Sequence, residues 1–355
     1  MSTVIVQTEP GTDVVVVPRR LDVGVQFHGL WDHYWVDGEP TSAWHAHFGG
    51  IAAAGVRTIR VDFGWSTAMP TNVWNPNQYY VKRLARLLDA AQAEGMDVLV
   101  TLHQSPGWAR PGVAGDVKQY PADLAAWKLF CQNMAGVFGS RVYAWEVWNE
   151  PNLKEFTGVV ASDANVKADR YVPILKAAAE GLRAGHAAAK VMFGGPSQTD
   201  AEFIDACYWR GAKDYFDIMA VHPYLGNQTK SPLATDLWDK SRPTFMPALL
   251  EDMAYWDRLP FGKEIWWSEV GVSVHSNAGI TETFKLGVAA DEAAAESFRQ
   301  YLQLAQQYPQ VSRVIFYAAH RQSSDIHQAG YSIMNNDGTP KPQLTAISDY
   351  LKGKA

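Results

Sequence analysis

Cysteine is nearly absent: the 355-residue chain carries only Cys131 and Cys207. Both fall in stretches that read as helical, a poor basis for a disulfide framework, so free and buried thiols are expected. Runs of Lys or Arg are missing too. With a formal net charge of -6 and a pI near 5.9, the sequence offers no basic face for phosphates, which argues against nucleic acid as a partner. Long apolar runs are lacking as well. The stretch 14–17 is too short and wrongly flanked for a signal peptide or a membrane span. A soluble protein is expected, cytoplasmic, or secreted if a leader has been removed. No glycine-rich phosphate loop follows the first strand, where Phe27-His28-Gly29-Leu30-Trp31 stands instead.

What is present is a regular alternation. Short β-branched or aromatic runs alternate with Ala-rich amphipathic stretches, the pattern of buried parallel strands joined by crossover helices. Strands are predicted over 21–28, 58–65, 97–103, 142–149, 190–196, 217–223, 264–270 and 311–319. Helices are predicted over 77–94, 121–138, 167–188, 291–307 and 339–351, several opened by Pro, Asp or Asn, with Gly95 ending the stretch 77–94. No low-complexity tract or long linker intervenes. The fold class is therefore α/β, a single (β/α)8 TIM barrel over 21–355, preceded by an N-terminal extension over 1–20 that reads as an extra strand or a lid over the barrel bottom.

Chemistry in such barrels collects at the C-terminal ends of the strands. There the sequence places His28, Trp31, Asp32 and His33, then Arg60, Asp62 and Trp65, then His103 and Trp108. Strand four ends in Trp148-Asn149-Glu150, strand six in His222 and Tyr224, strand seven in Trp267-Ser268-Glu269, and strand eight in Tyr317 and His320. Glu150 and Glu269 each close a buried, aromatic-flanked strand, where an idle carboxylate would be costly. Two carboxylates facing each other suit glycosidic bond cleavage, one protonating the leaving oxygen and the other attacking the anomeric carbon. Arg60, Tyr224 and Asn149 are expected to keep Glu269 ionised as the nucleophile. Glu150, beside Trp148 and His222 and opposite a negative charge, has the surroundings that favour a protonated carboxyl, as a general acid requires. Glu146 shares strand parity with Glu150 but lies deeper, and is read as structural.

At these residues the sequence resembles clan A of the glycoside hydrolases. The sharpest match is Trp148-Asn149-Glu150-Pro151-Asn152. The resemblance implies that Asn149 contacts a sugar 2-hydroxyl and that Glu150 is the acid/base. Arg60 within Ile59-Arg60-Val61-Asp62, the stretch Ser105-Pro106-Gly107-Trp108-Ala109, Gly194-Gly195-Pro196, His222-Pro223-Tyr224 and Trp267-Ser268-Glu269 resemble family 39 in particular. Strand eight departs from the clan, with Phe316-Tyr317-Ala318-Ala319-His320 where many members place a Trp beneath the sugar. The chain is also expected to lack the accessory β-sandwich of many family 39 xylosidases.

The predicted function is that of a retaining glycosidase, endo-acting on a β-linked or bacterial polysaccharide, with a carbohydrate as partner and no cofactor. The alternatives are an exo-acting, β-xylosidase-like enzyme, a non-catalytic carbohydrate-binding barrel and, last, a metal-dependent hydrolase using the strand-end histidines. No metal site is assigned, because His45 and His47 belong to a helix and miss the spacing a barrel metallohydrolase uses. Of the 14 Trp, Trp31, Trp35, Trp65, Trp108, Trp148 and Trp267 are candidates for stacking on sugar rings, while Trp127, Trp209 and Trp256 are expected to pack. His103, His222, Tyr224, Tyr317 and His320 complete the predicted substrate-binding set. Loops 153–165 and 225–237 are expected to set specificity.

Overall fold

The computed structural model describes residues 2–6, 15–19, 21–110, 116–225, 231–233, 246–257, 263–275 and 290–354. Eight parallel strands close into a barrel: β1 (Asp22–Gln26), β2 (Thr58–Gly64), β3 (Asp97–His103), β4 (Ala144–Val147), β5 (Val191–Phe193), β6 (Ile218–Val221), β7 (Glu264–Val270) and β8 (Val311–Phe316). All eight lie within the predicted stretches. A helix follows each strand: α1 (Ser42–Ala53), α2 (Tyr79–Ala93), α3 (Leu124–Phe138), α4 (Ala164–Gly185), α5 (Ala201–Trp209), α6 (Met246–Asp257), α7 (Ala290–Ala305) and α8 (Pro342–Leu351). Ahead of the barrel in sequence, Ser2–Val6 pairs antiparallel with Val15–Arg19, where an extra strand or a lid was expected.

Helix starts shift by a few residues from the prediction because side-chain caps fix them. The Gln78 side chain accepts from Tyr80 N and Val81 N, Asp123 caps α3, Asp163 caps α4, and Pro342 opens α8. Gly95, at φ +64°, turns the chain out of α2.

Strand alternation sorts the barrel into two cores. Outward residues such as Val23, Val61, Val100, Val147, Val221, Trp267 and Phe316 pack under the helices. Inward residues Leu99, Ala144, Met192, Ile218, Ala220, Trp266 and Ile315 form a separate apolar plug. The inward polar side chains Gln26, Arg60, Thr101, Glu146, His222 and Ser268 are all buried as well. Cys131 and Cys207 are free and buried.

Candidate active site

Arg60 organises the polar layer. It is fully buried, and four of its five N–H groups are engaged: Nε donates to Glu146 Oε2 at 2.7 Å, Nη1 to Gln26 Oε1 at 3.0 Å and to Glu269 Oε2 at 2.7 Å, and Nη2 to Asn149 Oδ1 at 2.8 Å. A planar guanidinium suits this task because its five N–H groups point in fixed directions. Tyr224 OH donates to the other Glu269 oxygen at 3.0 Å. Glu269 thus has one bond to each carboxylate oxygen.

Glu269 reaches the inner face through an irregularity. On β7, Trp266 and Ser268 point inward, so strict alternation would turn Glu269 outward. Between Trp267 and Val270 the register against β8 gains one residue, Trp267 pairing with Val314 and Val270 with Phe316. This β-bulge re-aims the side chain. On the opposite rim β4 ends at Val147, and Trp148 and Glu150 take positive φ values of 75° and 43°. Non-glycine residues keep such backbone only where surrounding contacts hold it. Here Trp148 N donates to Leu102 O and Glu150 N to Gly195 O. The Glu150 carboxylate then accepts from His222 Nδ1 at 3.3 Å. The side chains of Glu150 and Glu269 remain 13% and 15% exposed, enough to meet a ligand.

Beneath the pair, Glu146 is fully buried and accepts from Arg60, from Thr101 Oγ1 at 2.6 Å and from Ser268 Oγ at 2.8 Å. Burial alone would raise its pKa, yet Arg60, with help from His222 and Thr101, holds it down to about 2. Burial alone would likewise neutralise His222, but the carboxylates of Glu269, Glu146 and Glu150 lift it to about 9, so it is an imidazolium at neutral pH. Its Nε2 lies 3.8 Å from Glu146 Oε1, an ion pair too long for a hydrogen bond. Gly195 permits this packing: a Cβ there would sit 2.4 Å from His222 Nε2 and 2.9 Å from Ser268 Oγ. Burial pushes the Glu269 carboxyl above the ordinary range, and the His222 and Arg60 charges offset that only in part.

The structure thus gathers Glu150, Glu269, Asn149, Arg60, His222 and Tyr224 into one network. Tyr317 packs edge-on to His28 and to Tyr331, each 5.4 Å between ring centres, and the Glu269 charge raises its hydroxyl pKa beyond the effect of burial. Trp31 is half-buried and stacks on His28 at 4.0 Å. A cavity of about 370 Å3 is lined by Trp31, Asp62 and His103 among others. Asp62 accepts from Gln26 Nε2 at 3.0 Å, which ties this cavity to the Arg60 network. Burial keeps His103 neutral, and His28 is pushed down to about 3.

Several tryptophans predicted for the cleft are elsewhere. Trp65 is fully buried against Trp108, Trp127 and Phe130. Trp148 is buried edge-on to Trp127, its Nε1 donating to Phe156 O. Trp267 faces outward onto Tyr301 of α7, and Trp35 is buried with Nε1 bonded to Gly29 O. Trp108 is half-buried and bonds Met69 O. Trp209, expected to pack, is 68% exposed. His320 sits in a different cavity, stacked 4.5 Å from His47 and bonded to Asn336 Oδ1 at 2.8 Å. Of the predicted specificity loops, 153–165 holds a short helix, Lys154–Thr157, whereas 226–230 and 234–237 lie outside the described residues. Gln26, Thr101, Asp62 and Ser268 belong to the network without having been assigned to the site. Their inward parity beside Arg60 was the available signal. Among the described residues, no group of three or more His, Cys, Asp or Glu is arranged to hold a metal ion.

A closed (β/α)8 barrel with one clamped carboxylate on β7 and a second just past β4 is the architecture of a clan A glycoside hydrolase. The family model described as Cellulase (glycosyl hydrolase family 5) matches residues 21–321, and the chain belongs to that family. It is accordingly a retaining glycosidase. Solved structures with the same fold include a family 39 glycoside hydrolase from Bacteroides cellulosilyticus WH2, at 20% identity and a TM-score of 0.71. That match covers 94% of this chain, which spans only 64% of the other's length. A GH5_18 enzyme from Streptomyces cattleya in complex with GlcNAc matches at 19% identity and a TM-score of 0.71, covering 95% of this chain and 80% of that one. The Pseudomonas stutzeri endoglucanase Cel5A matches at 14% identity and a TM-score of 0.61, covering 94% of each chain. The resemblance drawn from the motifs therefore holds at the level of the clan. No curated protein matches the chain. No helix among the described residues is long and apolar enough to cross a membrane.

Proposed function

We propose that this glycosidase is endo-acting on a β-linked polysaccharide, with Glu269 as nucleophile and Glu150 as acid/base. The observation that carries the reading is the opposed pair itself: Glu269 fixed through both oxygens by Arg60 and Tyr224, and Glu150 held across the mouth by His222. Glu269 attacks the anomeric carbon while Glu150 gives its proton to the departing glycosidic oxygen, forming a glycosyl ester. Glu150, now a carboxylate, takes a proton from water, whose oxygen displaces Glu269 and leaves the anomeric configuration unchanged. Tyr224 and Arg60 take up the charge that returns to Glu269 in the second step. Asn149, oriented by Arg60, is placed to bond the hydroxyl next to the reacting carbon.

The β-linkage and endo action are supported by the description of the matched family as cellulases, and by the endoglucanase among the fold relatives. The test is proton NMR of the first-formed product from β-glycans and bacterial polysaccharides, with product sizing alongside. Retention with a ladder of oligosaccharides is expected. Inversion would remove the ester intermediate from the account, and release of single sugars alone would replace endo by exo action. Glu269→Ala should abolish turnover on every substrate. Glu150→Ala should lose natural glycans yet still cleave aryl glycosides with good leaving groups, since these need no protonation.

A further inference from the structure

A second cavity is lined by neither glutamate. It measures about 780 Å3 and lies where the segments after β1 and β8 meet α1. His33 lines both this cavity and the smaller one that reaches Asp62 and His103, so the two are neighbouring compartments of one mouth.

Arg321 stands at their junction. Its guanidinium lies 4.3 Å over the ring of Trp31, and its charge acts on His28 and on Tyr317, the tyrosine that also feels Glu269. Among the described residues Arg321 makes no ion pair. Its side chain reaches Gln322 O from Nη1 at 3.3 Å and hydrogen-bonds the Tyr317 hydroxyl, both neutral partners, while Nε is buried with no partner. An unpaired buried N–H on a cation is costly, so a partner from outside is favoured.

The surrounding wall has the sign to receive an anion. Lys341 supplies a second cation, held loosely at 3.7 Å from Asp291. Among the described residues of the lining Asp337 is the sole carboxylate, and its Oδ1 already accepts from Thr339 N and Oγ1. In a chain of net charge -6, this is a locally cationic compartment. Trp31 covers one face of the guanidinium and only neutral oxygens meet its edge, where Nε stays unpaired, and a guanidinium edge matches a carboxylate bidentately.

We propose that Arg321 binds a carboxylate carried by the glycan, and that the substrate is a uronate-bearing, acidic polysaccharide whose chain runs from the two glutamates into this cavity. The inference rests on the reading of the protein as a polysaccharide hydrolase. A sulfate ester shares the same recognition chemistry, and the test separates the two.

Binding is measured by calorimetry in the Glu269→Gln background, which removes turnover and leaves Arg321 in place. The probes are matched sets: cello-oligosaccharides, their β-1,4-glucuronan counterparts of equal length, 6-O-sulfated cello-oligosaccharides, and xylo-oligosaccharides with and without glucuronate branches. At least one carboxylate-bearing probe binds about ten- to hundredfold more tightly than its neutral twin. That advantage shrinks in about 0.5 M salt. Arg321→Gln abolishes it without changing binding of the neutral twin, Arg321→Lys keeps part of it, and Lys341→Gln lowers it less. No carboxylate preference in any set, or a preference that survives Arg321→Gln, overturns the inference. Tighter binding of the sulfated probe than of the carboxylate one overturns the uronate assignment. Wild-type hydrolysis of neutral glycans without such a preference sinks this inference alone, whereas absence of turnover on every glycan sinks the hydrolase reading and leaves the binding result standing.

Discussion

Replacing Arg60 by Met keeps the volume and removes the charge from the centre of the barrel. Glu146 and Glu269 then lose their shared cation while remaining buried, and breaking a buried pair in this way costs about 3–5 kcal/mol. The Glu146 carboxyl gives an independent figure. Held at about 2 against an ordinary value of 4.5, it carries about 3 kcal/mol of linkage. For 355 residues the unfolding entropy is about 0.7 kcal/mol per kelvin, so the melting temperature at pH 7 should fall by about 4–7 °C. The sign of the pH dependence follows. A depressed carboxyl stabilises above its unfolded pKa, and that contribution is lost as pH falls through the folded value. In the variant both carboxylates are destabilising when charged and harmless when protonated. The deficit relative to wild type should therefore be largest at neutral pH and shrink below about pH 4.5. Melting curves of the two proteins between pH 3 and 8 check this, and a deficit independent of pH would refute the reasoning.

Other consequences can be measured as directly. Glu269 must be ionised to attack, and burial raises its pKa, so kcat/KM should be lost as pH falls through that raised value. Tyr224→Phe removes a donor that favours the ionised form and should move the acid limb to still higher pH, which a pH–rate profile reads. His222 is lifted to about 9, so its contribution is fully present below pH 6.5 and lost as pH rises through 9, and the decline in melting temperature over that window should be smaller in His222→Asn. Trp267→Ala should cost about 3–5 kcal/mol of stability through a cavity under α7, whereas Trp31→Ala should raise KM with a smaller change in melting temperature. Thermal melts and steady-state kinetics on both variants separate these outcomes.

The barrel was legible because buried parallel strands and amphipathic helices differ in period as well as in composition. Each strand end could then be counted for what it delivers, which is how Arg60, Asn149, Glu150, His222, Tyr224 and Glu269 were found together. Which way each aromatic turns was less legible. Trp267 precedes a bulge that brings Glu269 inward, and Trp148 occupies a left-handed backbone position that swings its ring toward α3; neither event has a signature in hydrophobic alternation. Trp65, placed at the end of β2, is absorbed by an aromatic cluster whose partners Trp127 and Phe130 lie far along the chain. The charge states were hidden for a similar reason. Whether Glu269 or His222 gains or loses a proton depends on burial set against four neighbouring charges in each case, and only the folded chain assembles them.

The double displacement predicts a covalent ester on one particular oxygen-bearing side chain. Incubation with a panel of 2-deoxy-2-fluoro β-glycosyl fluorides slows both steps, while the good leaving group lets the first proceed, so the intermediate accumulates. Peptide mass spectrometry should then find the added glycosyl mass on Glu269, with none in the Glu269→Gln variant. A label on Glu150 or on any other residue would contradict the assignment of nucleophile and acid/base.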